Sequence, residues 1–241
     1  DHGPMQTASP SMPAGIVAFV LTDLEGSTGR WERAPAAMAD DLARHLSIVD
    51  EVCERWAGWR APEQGAGDST VSAFARASDA LAAAVDLQQV MCSEVWAGPE
   101  PLLARAAVHA GEVPLDDTGR YQGPTMNRAG RLLQAGHGGQ ILASSTAVEL
   151  GRAGLRDGVE LIDLGPHRLR GIDEPVGIVQ VTPGSHRKTF PPLRTVGTAA
   201  ATLPHPDSSL VGRAHDLRAL AELLDQHRVL SVVGAGGGGK T

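Results

Sequence analysis

Six consecutive apolar residues, Ile16-Val-Ala-Phe-Val-Leu21, are the first ordered signal in the chain. Their β-branched and aromatic character predicts a buried strand, which runs straight into the polar stretch Thr22-Asp23-Leu24-Glu25-Gly26-Ser27-Thr28. The period then changes. Met38, Leu42, Leu46, Val49, Cys53 and Trp56 recur every three or four residues and lay one apolar stripe along a helix that Gly58 ends. A hairpin-like stretch follows from Trp59 to Arg76, interrupted by Gly65-Ala-Gly-Asp68-Ser69. A second helix is expected from Asp79 to about Val95, capped by Ser78, with Leu81, Val85 and Cys92 along one side and Pro99 and Pro101 beyond its end. Leu103 to His109 predicts another strand, after which Gly111-Glu112-Val113 opens a loop carrying Asp116, Asp117 and Gly119. A third helix is expected from about Thr125 to Gln134, then a strand over Gln140 to Ala143 and a helix capped by Ser144 or Ser145. Val159 to Leu164 and Gly177 to Val181 supply the last strands, with Pro166 to Pro175 between them. The order β-α-β-β-α-β with later additions predicts an α+β fold, a ferredoxin-like sandwich.

The two ends read differently. Residues 1–14 have no periodicity and are expected to be mobile, leaving 15–182 as the main domain. Residues 183–209 are rich in Pro, Ser, Thr and Ala and are expected to be a linker. Beyond them an amphipathic helix (Leu217, Leu220, Leu223, Leu224) and a strand, Val229 to Val233, lead into Gly234-Ala-Gly-Gly-Gly-Gly239-Lys240-Thr241. Such a run after a strand is a phosphate-binding loop: backbone N–H groups wrap the phosphates, Lys240 neutralises them and Thr241 reaches Mg²⁺. The helix that completes such a site is missing from the sequence, so 210–241 are expected to be the truncated start of a P-loop NTPase domain, and the chain a fragment.

Composition narrows the function classes. With 28 acidic against 21 basic side chains the net charge is −7, so no direct nucleic-acid binding by bulk attraction is expected. Two cysteines, Cys53 and Cys92, exclude a disulfide framework and a Cys-rich zinc module; both are expected to be small buried hydrophobes in a reducing cytoplasm. No apolar run approaches the ~20 residues that span a bilayer, so no membrane partner is expected. The first residues lack the basic and apolar regions of a signal peptide. None of the nine histidines shows zinc-type spacing, and His137, in a glycine turn, reads as structural. Trp31, Trp56, Trp59 and Trp96 read as core or subunit-seam residues.

The candidate chemistry lies in the main domain. Asp23 leaves the end of a buried strand and Asp68 sits in a Gly-rich turn; if those strands are neighbours, the two carboxylates share divalent cations, whose remaining ligands are phosphate oxygens and water. Isolated Asp residues in turns are common, so ordinary turn chemistry is the competing reading. Gly26, Ser27 and Thr28 lie where a helix begins, and their N–H groups suit a triphosphate. Asn127 and Arg131 stand one helical turn apart on one face, a pairing that suits charge developing on a phosphoryl group, against the plainer reading of an exposed polar face. Arg128 is rotated away from them and reads as a solvated charge.

Together these residues resemble the class III adenylate/guanylate cyclase catalytic domain. The resemblance rests on Phe19-Val-Leu-Thr-Asp23-Leu-Glu-Gly-Ser-Thr28, Gly67-Asp68-Ser69 and Ala106-Ala-Val-His-Ala-Gly-Glu112. It continues in Tyr121-Gln-Gly-Pro-Thr-Met-Asn127-Arg-Ala-Gly-Arg131, His137-Gly-Gly-Gln140 and Asp163-Leu-Gly-Pro-His-Arg-Leu-Arg170-Gly171, in order over about residues 15–182. The linker and phosphate loop behind it resemble large actinobacterial regulators in which a cyclase domain precedes an NTPase. The resemblance implies a homodimer that converts ATP (or GTP) to a cyclic nucleotide and pyrophosphate. Two Mg²⁺ or Mn²⁺ ions per site would lie on Asp23, Asp68 and the Leu24 carbonyl. Asn127 and Arg131 would come from the partner chain, and Arg170 would be the basic residue near the terminal phosphates. Two purine-reading positions depart from the family pattern. Gln64 stands where a Lys is usual, and Arg120 where an Asp is usual; an Arg only donates, so it suits guanine O6 and N7 better than the adenine amine. Asp116 or Asp117 replaces that acceptor if the loop shifts register. Gly130, where Ala is usual, weakens the helix that carries Arg131. These departures motivate a second expectation, a catalytically silent regulatory or dimerisation module. A plain P-loop ATPase and a diguanylate cyclase fit less well, the first for lack of a complete module and the second for lack of its Gly-Gly-Asp/Glu-Glu-Phe signature.

Overall fold

The computed structural model describes residues 12–61, 67–116, 120–184, 186–196 and, toward the C-terminus, 215, 219, 220, 222 and 223. The chain divides into two units, Asp1–Ala200 and Ala201–Thr241. In the second, the five described residues are helical; Gly234, Gly239, Lys240 and Thr241 lie outside the described residues.

In the first unit, β1 (Gly15–Leu24) is followed by α1 (Ser27–Arg33), α2 (Pro35–Arg55), β2 (Trp59–Arg60), β3 (Thr70–Phe74), α3 (Ala77–Ser93) and β4 (Ala104–Val113). Then come α4 (Pro124–Ala135), β5 (Ile141–Ser144), α5 (Ser145–Gly151), a 3₁₀ turn (Arg152–Gly154), β6 (Val159–His167) and β7 (Val176–Pro183). One seven-stranded sheet has the order β2-β3-β1-β4-β5-β7-β6. Its first four strands are antiparallel neighbours, β2 to β3, β3 to β1 and β1 to β4, which is the ferredoxin-like arrangement. The parallel step from β4 to β5 crosses over through α4, and the β6–β7 hairpin extends the sheet beyond it.

β1 is apolar without alternation because helices cover both of its faces. Ala18, Val20 and Leu24 pack with α2, α3 and α5, while Val17, Phe19 and Leu21 pack with Ala129, Leu132 and Leu133 of α4. On α3 the alanines Ala80, Ala83 and Ala84 are buried and let the helix lie close to the sheet. Ser144 caps α5 by accepting the Ala147 N–H at 3.2 Å.

Several local expectations change. α3 begins at Ala77 with Arg76 at the cap, so Ser78 lies inside the first turn; Arg76 instead pairs with Asp79 there. β4 does not stop at His109 but pairs with β1 as far as Val113. Gly111 permits this, because a Cβ there would come within 2.9 Å of Thr125 Oγ1. Cys53 is buried but Cys92 is exposed. The short α1 carries no apolar stripe and is tied down by Arg30, whose Nη2 donates to the carbonyls of Glu100 and Pro101. Trp31 on that helix is exposed, whereas Trp56 donates to buried Asp86 at 2.8 Å and Trp96 donates to the Met91 carbonyl at 3.3 Å.

The stretch 186–196 lies along the first unit. The Gln180 amide donates to the Lys188 carbonyl (2.8 Å) and His137 Nε2 meets the Pro192 carbonyl (3.1 Å). The backbone N–H groups of Arg194 and Val196 donate to the carbonyls of Ala135 (3.0 Å) and Arg168 (3.1 Å). These residues roof a cavity of about 400 Å³ floored by Gln140, Ile162, Leu164 and Gln180.

Candidate active site

Asp23 is the penultimate residue of β1 and stands opposite Arg105 of β4. Arg105 Nε donates to Asp23 Oδ2 at 2.9 Å, and its Nη2 donates to the same oxygen. From the other side Ser69 Oγ donates to Asp23 Oδ1 at 2.9 Å. Both Asp23 oxygens are therefore engaged, in a pair whose side chains are only 16% and 19% exposed.

Asp68 immediately precedes Ser69 in the turn before β3, next to Gly67, whose φ of +66° favours glycine. Asp68 Oδ2 is buried with no hydrogen-bond partner. A buried acceptor left open costs free energy unless a cation or water meets it. Two carboxylates around one turn, one of them already holding a guanidinium and the other open, suit a hard divalent cation whose further ligands are water and phosphate oxygens. No group of three His, Cys, Asp or Glu side chains able to hold a metal occurs among the described residues, so any such ion would depend on those outside ligands.

Both carboxylates act on a third group. His45, on α2, is fully buried; burial drives its ring down to about 4, against the upward pull of Asp68 and Asp23. The buried line of α2 is Met38, Asp41, His45, Ile48, Val49, Val52 and Cys53, so two polar residues stand where Leu42 and Leu46 were expected to lead. Asp41 earns its burial by accepting the backbone N–H groups of Ala97 (2.6 Å) and Gly98 (3.3 Å).

Glu25 follows directly on β1. Its carboxylate accepts the Gly138 N–H at 2.9 Å and pairs with Arg194. Burial alone would raise its carboxyl, but the bonds from Arg194 and Gly138 outweigh this and hold it below the usual carboxylate range. Gly26 then takes the left-handed conformation (φ +72°), and α1 starts at Ser27 and Thr28.

Asn127 and Arg131 lie on α4, whose buried side is Thr125, Ala129, Leu132 and Leu133. Asn127 is exposed, and Arg131 Nη1 donates to Gln134 at 2.9 Å. Neither is among the partners of Asp23 or Asp68 within the chain. Arg128, read as a free solvated charge, pairs with Glu174 at 3.5 Å. Arg120 is exposed, and its N–H donates to Asp116 Oδ1 at 2.9 Å while Gln122 donates to Oδ2, so the Asp116 carboxylate closes this turn. Arg170 is exposed in the turn after β6, next to Gly171 at φ +74°. Gln64, Asp117 and Gly119 lie outside the described residues. Arg105, His45, Glu25 and Arg194 escaped the sequence reading. For the first two a signal existed: an arginine inside an otherwise apolar strand, and a histidine at the buried period of a helix.

No family model matches the chain. It is 38% identical over 202 residues to the uncharacterized protein Rv0891c of Mycobacterium tuberculosis, covering 83% of this chain and 68% of that protein. It is 27% identical over 219 residues to a receptor-type adenylate cyclase of Trypanosoma congolense, covering 74% of this chain and 29% of that protein. Among solved structures, an adenylate cyclase of Trypanosoma brucei in its monomeric state superposes with a TM-score of 0.69 at 25% identity, covering 79% of this chain and 99% of that one. With the sheet order and the ordered motifs, these likenesses place the chain in the class III adenylate/guanylate cyclase family, as a nucleotide cyclase domain.

Proposed function

We propose that the domain converts ATP to 3′,5′-cyclic AMP and pyrophosphate at sites shared between two copies of the chain, with two Mg²⁺ or Mn²⁺ ions per site. The observation that carries this reading is the open, buried Asp68 oxygen, beside a serine bonded to Asp23. Asp23, Asp68 and the Leu24 carbonyl would hold the ions, which when bound neutralise the triphosphate and lower the pKa of the ribose 3′-hydroxyl. To take part, Asp23 must release Arg105. The Gly26–Thr28 turn and Arg170 would line the phosphates. Asn127 of the partner subunit would orient the ribose. Arg131 of the partner subunit would offset charge on the α-phosphorus as the 3′-oxygen attacks in line and pyrophosphate departs.

The test is turnover by the full chain with Mn²⁺ and ATP or GTP at high protein concentration. Cyclic AMP from ATP supports the reading; product from GTP alone makes the domain a guanylate cyclase, in keeping with donor-only Arg120. Asp23→Ala and Arg131→Ala should each be inactive. Mixed one to one, they should recover about a quarter of wild-type turnover, because half of the dimers then carry one intact site. Arg105 on Asp23 favours a second reading, a silent regulatory or dimerisation module. No product with either nucleotide would establish it in place of the first.

A further inference from the structure

His45 has no part in the reaction proposed above, yet its burial is costly. Its Nδ1 lies 3.3 Å from Met91 Sδ, a weak acceptor, and its Nε2 is buried without a partner. Among the described residues, the other buried side-chain atom left open is Asp68 Oδ2.

The packing brings both groups to one end of the sheet. His45 touches Met91, one helical turn after Gln88, whose amide donates to the Ala104 carbonyl at 2.7 Å. Ala104 pairs with Leu24, next to the Asp23 that Ser69, the neighbour of Asp68, bonds. Near the end of α2, Cys53 and Ser72 of β3 line one small pocket, and an added Cβ on Gly58 would meet both Cys53 and Phe74. Eight helical residues back from Cys53, about 12 Å, is His45. Four residues before Ser72, in the turn that leads into β3, is Asp68. Both carboxylates also act on the imidazole, Asp68 more strongly than Asp23.

A neutral imidazole has one N–H. Placed on Nδ1, it meets only a thioether and leaves the Nε2 lone pair without a donor, in the field of the Asp68 carboxylate. Placed on Nε2, it gives that carboxylate, through one water, a charge-assisted donor and leaves only the weak sulfur contact behind.

We infer that His45 is a positioning residue for the metal-binding turn: its Nε2–H reaches Asp68 Oδ2 through one water and fixes the carboxylate on the side of Asp23. The inference rests on the reading of Asp23 and Asp68 as cation ligands. Groups of this kind, bonded to a ligand and not to the ion, typically change metal affinity by about 10- to 100-fold when removed.

The experiment has two arms. In the full chain labelled with ¹⁵N-histidine, long-range ¹H–¹⁵N correlation should show His45 protonated on Nε2, and Asp68→Ala should shift that nitrogen. A ring protonated on Nδ1, or one indifferent to Asp68→Ala, overturns the inference. In the second arm, Mn²⁺ half-saturation of turnover should rise about tenfold in His45→Leu with kcat little changed, and stay near wild type in His45→Gln, which keeps a donor. Equal behaviour of the two variants overturns it. If His45→Leu does not fold, the imidazole spectrum and His45→Gln decide. A wild-type chain that shows the Nε2–H signature but makes no product refutes the cyclase reading and leaves the His45–Asp68 link standing.

Discussion

Replacing Arg105 by Gln should make the domain bind the proposed divalent ion more tightly. In the resting chain the guanidinium donates twice to Asp23 Oδ2, so a cation approaching that carboxylate has to displace it. Hydrogen bonds to charged groups contribute about 1.5–3 kcal/mol each when well shielded. Here the side chains keep 16% and 19% of their exposure, and Gln retains a neutral donor, so a net gain of roughly 1.4 kcal/mol is expected, or about tenfold. The same change should lower the unfolding free energy of the metal-free chain by about 1–2 kcal/mol, because Asp23 then keeps Ser69 as its main partner. Turnover against Mn²⁺ concentration at saturating ATP measures the first effect, and urea unfolding with and without Mn²⁺ the second. A half-saturation that stays the same or rises in a folded Arg105→Gln protein refutes the reasoning, and means that Arg105 is not the group the metal replaces.

Arg194→Ala frees Glu25 from a pair that is partly exposed on both sides, so KM for ATP should rise by at most about fivefold with kcat nearly constant; an unchanged KM would separate this pair from the site. Burial holds folded His109 near pH 4, with Arg128 adding to the effect and Ser144 Oγ 2.8 Å from its Nδ1. Its folded value lies below the unfolded value, so its contribution of about 3 kcal/mol is fully present above pH 6.5 and is lost as pH falls toward 4. Urea midpoints between pH 7 and 4 should show this slope, reduced in His109→Gln; an equal slope in both proteins contradicts it. Gly58→Ala should cost about 1–3 kcal/mol, since the new Cβ meets the Phe74 ring and comes within 2.9 Å of Cys53 Sγ; an unaltered urea midpoint would show that the ring moves aside freely.

What the sequence disclosed follows the strength of each local signal. The unbroken run at Ile16 to Leu21 and the later periodic segments fixed the strands and helices that build the ferredoxin-like half of the sheet. Met38, Val49 and Cys53 of the predicted α2 stripe are buried, but between them the innermost residues, in place of Leu42 and Leu46, are Asp41 and His45. Each is satisfied or constrained by groups about 50 residues away, such as Ala97 and Met91, and nothing local announces that. Arg105 shows the same limit: its partner is set by β1–β4 register, which only the assembled sheet defines. β4 outran its expected end because Gly111 reads as a breaker in one dimension and as a fitting notch for Thr125 in three.

The path of the chain after its last strand has a mechanical consequence. It leaves the sheet at Pro183, runs over the cavity, and is stitched at Arg194 to Ala135 and at Val196 to Arg168. Arg194, the first of those stitches, also grips with its side chain Glu25, the residue that adjoins Leu24. A protein shortened at the end of β7 would lose the grip, and tension applied beyond Val196 would reach Glu25 within two residues. The exit of the chain and the end of β1 that carries Asp23 thus form one lever, with the Arg194 side chain as its fulcrum.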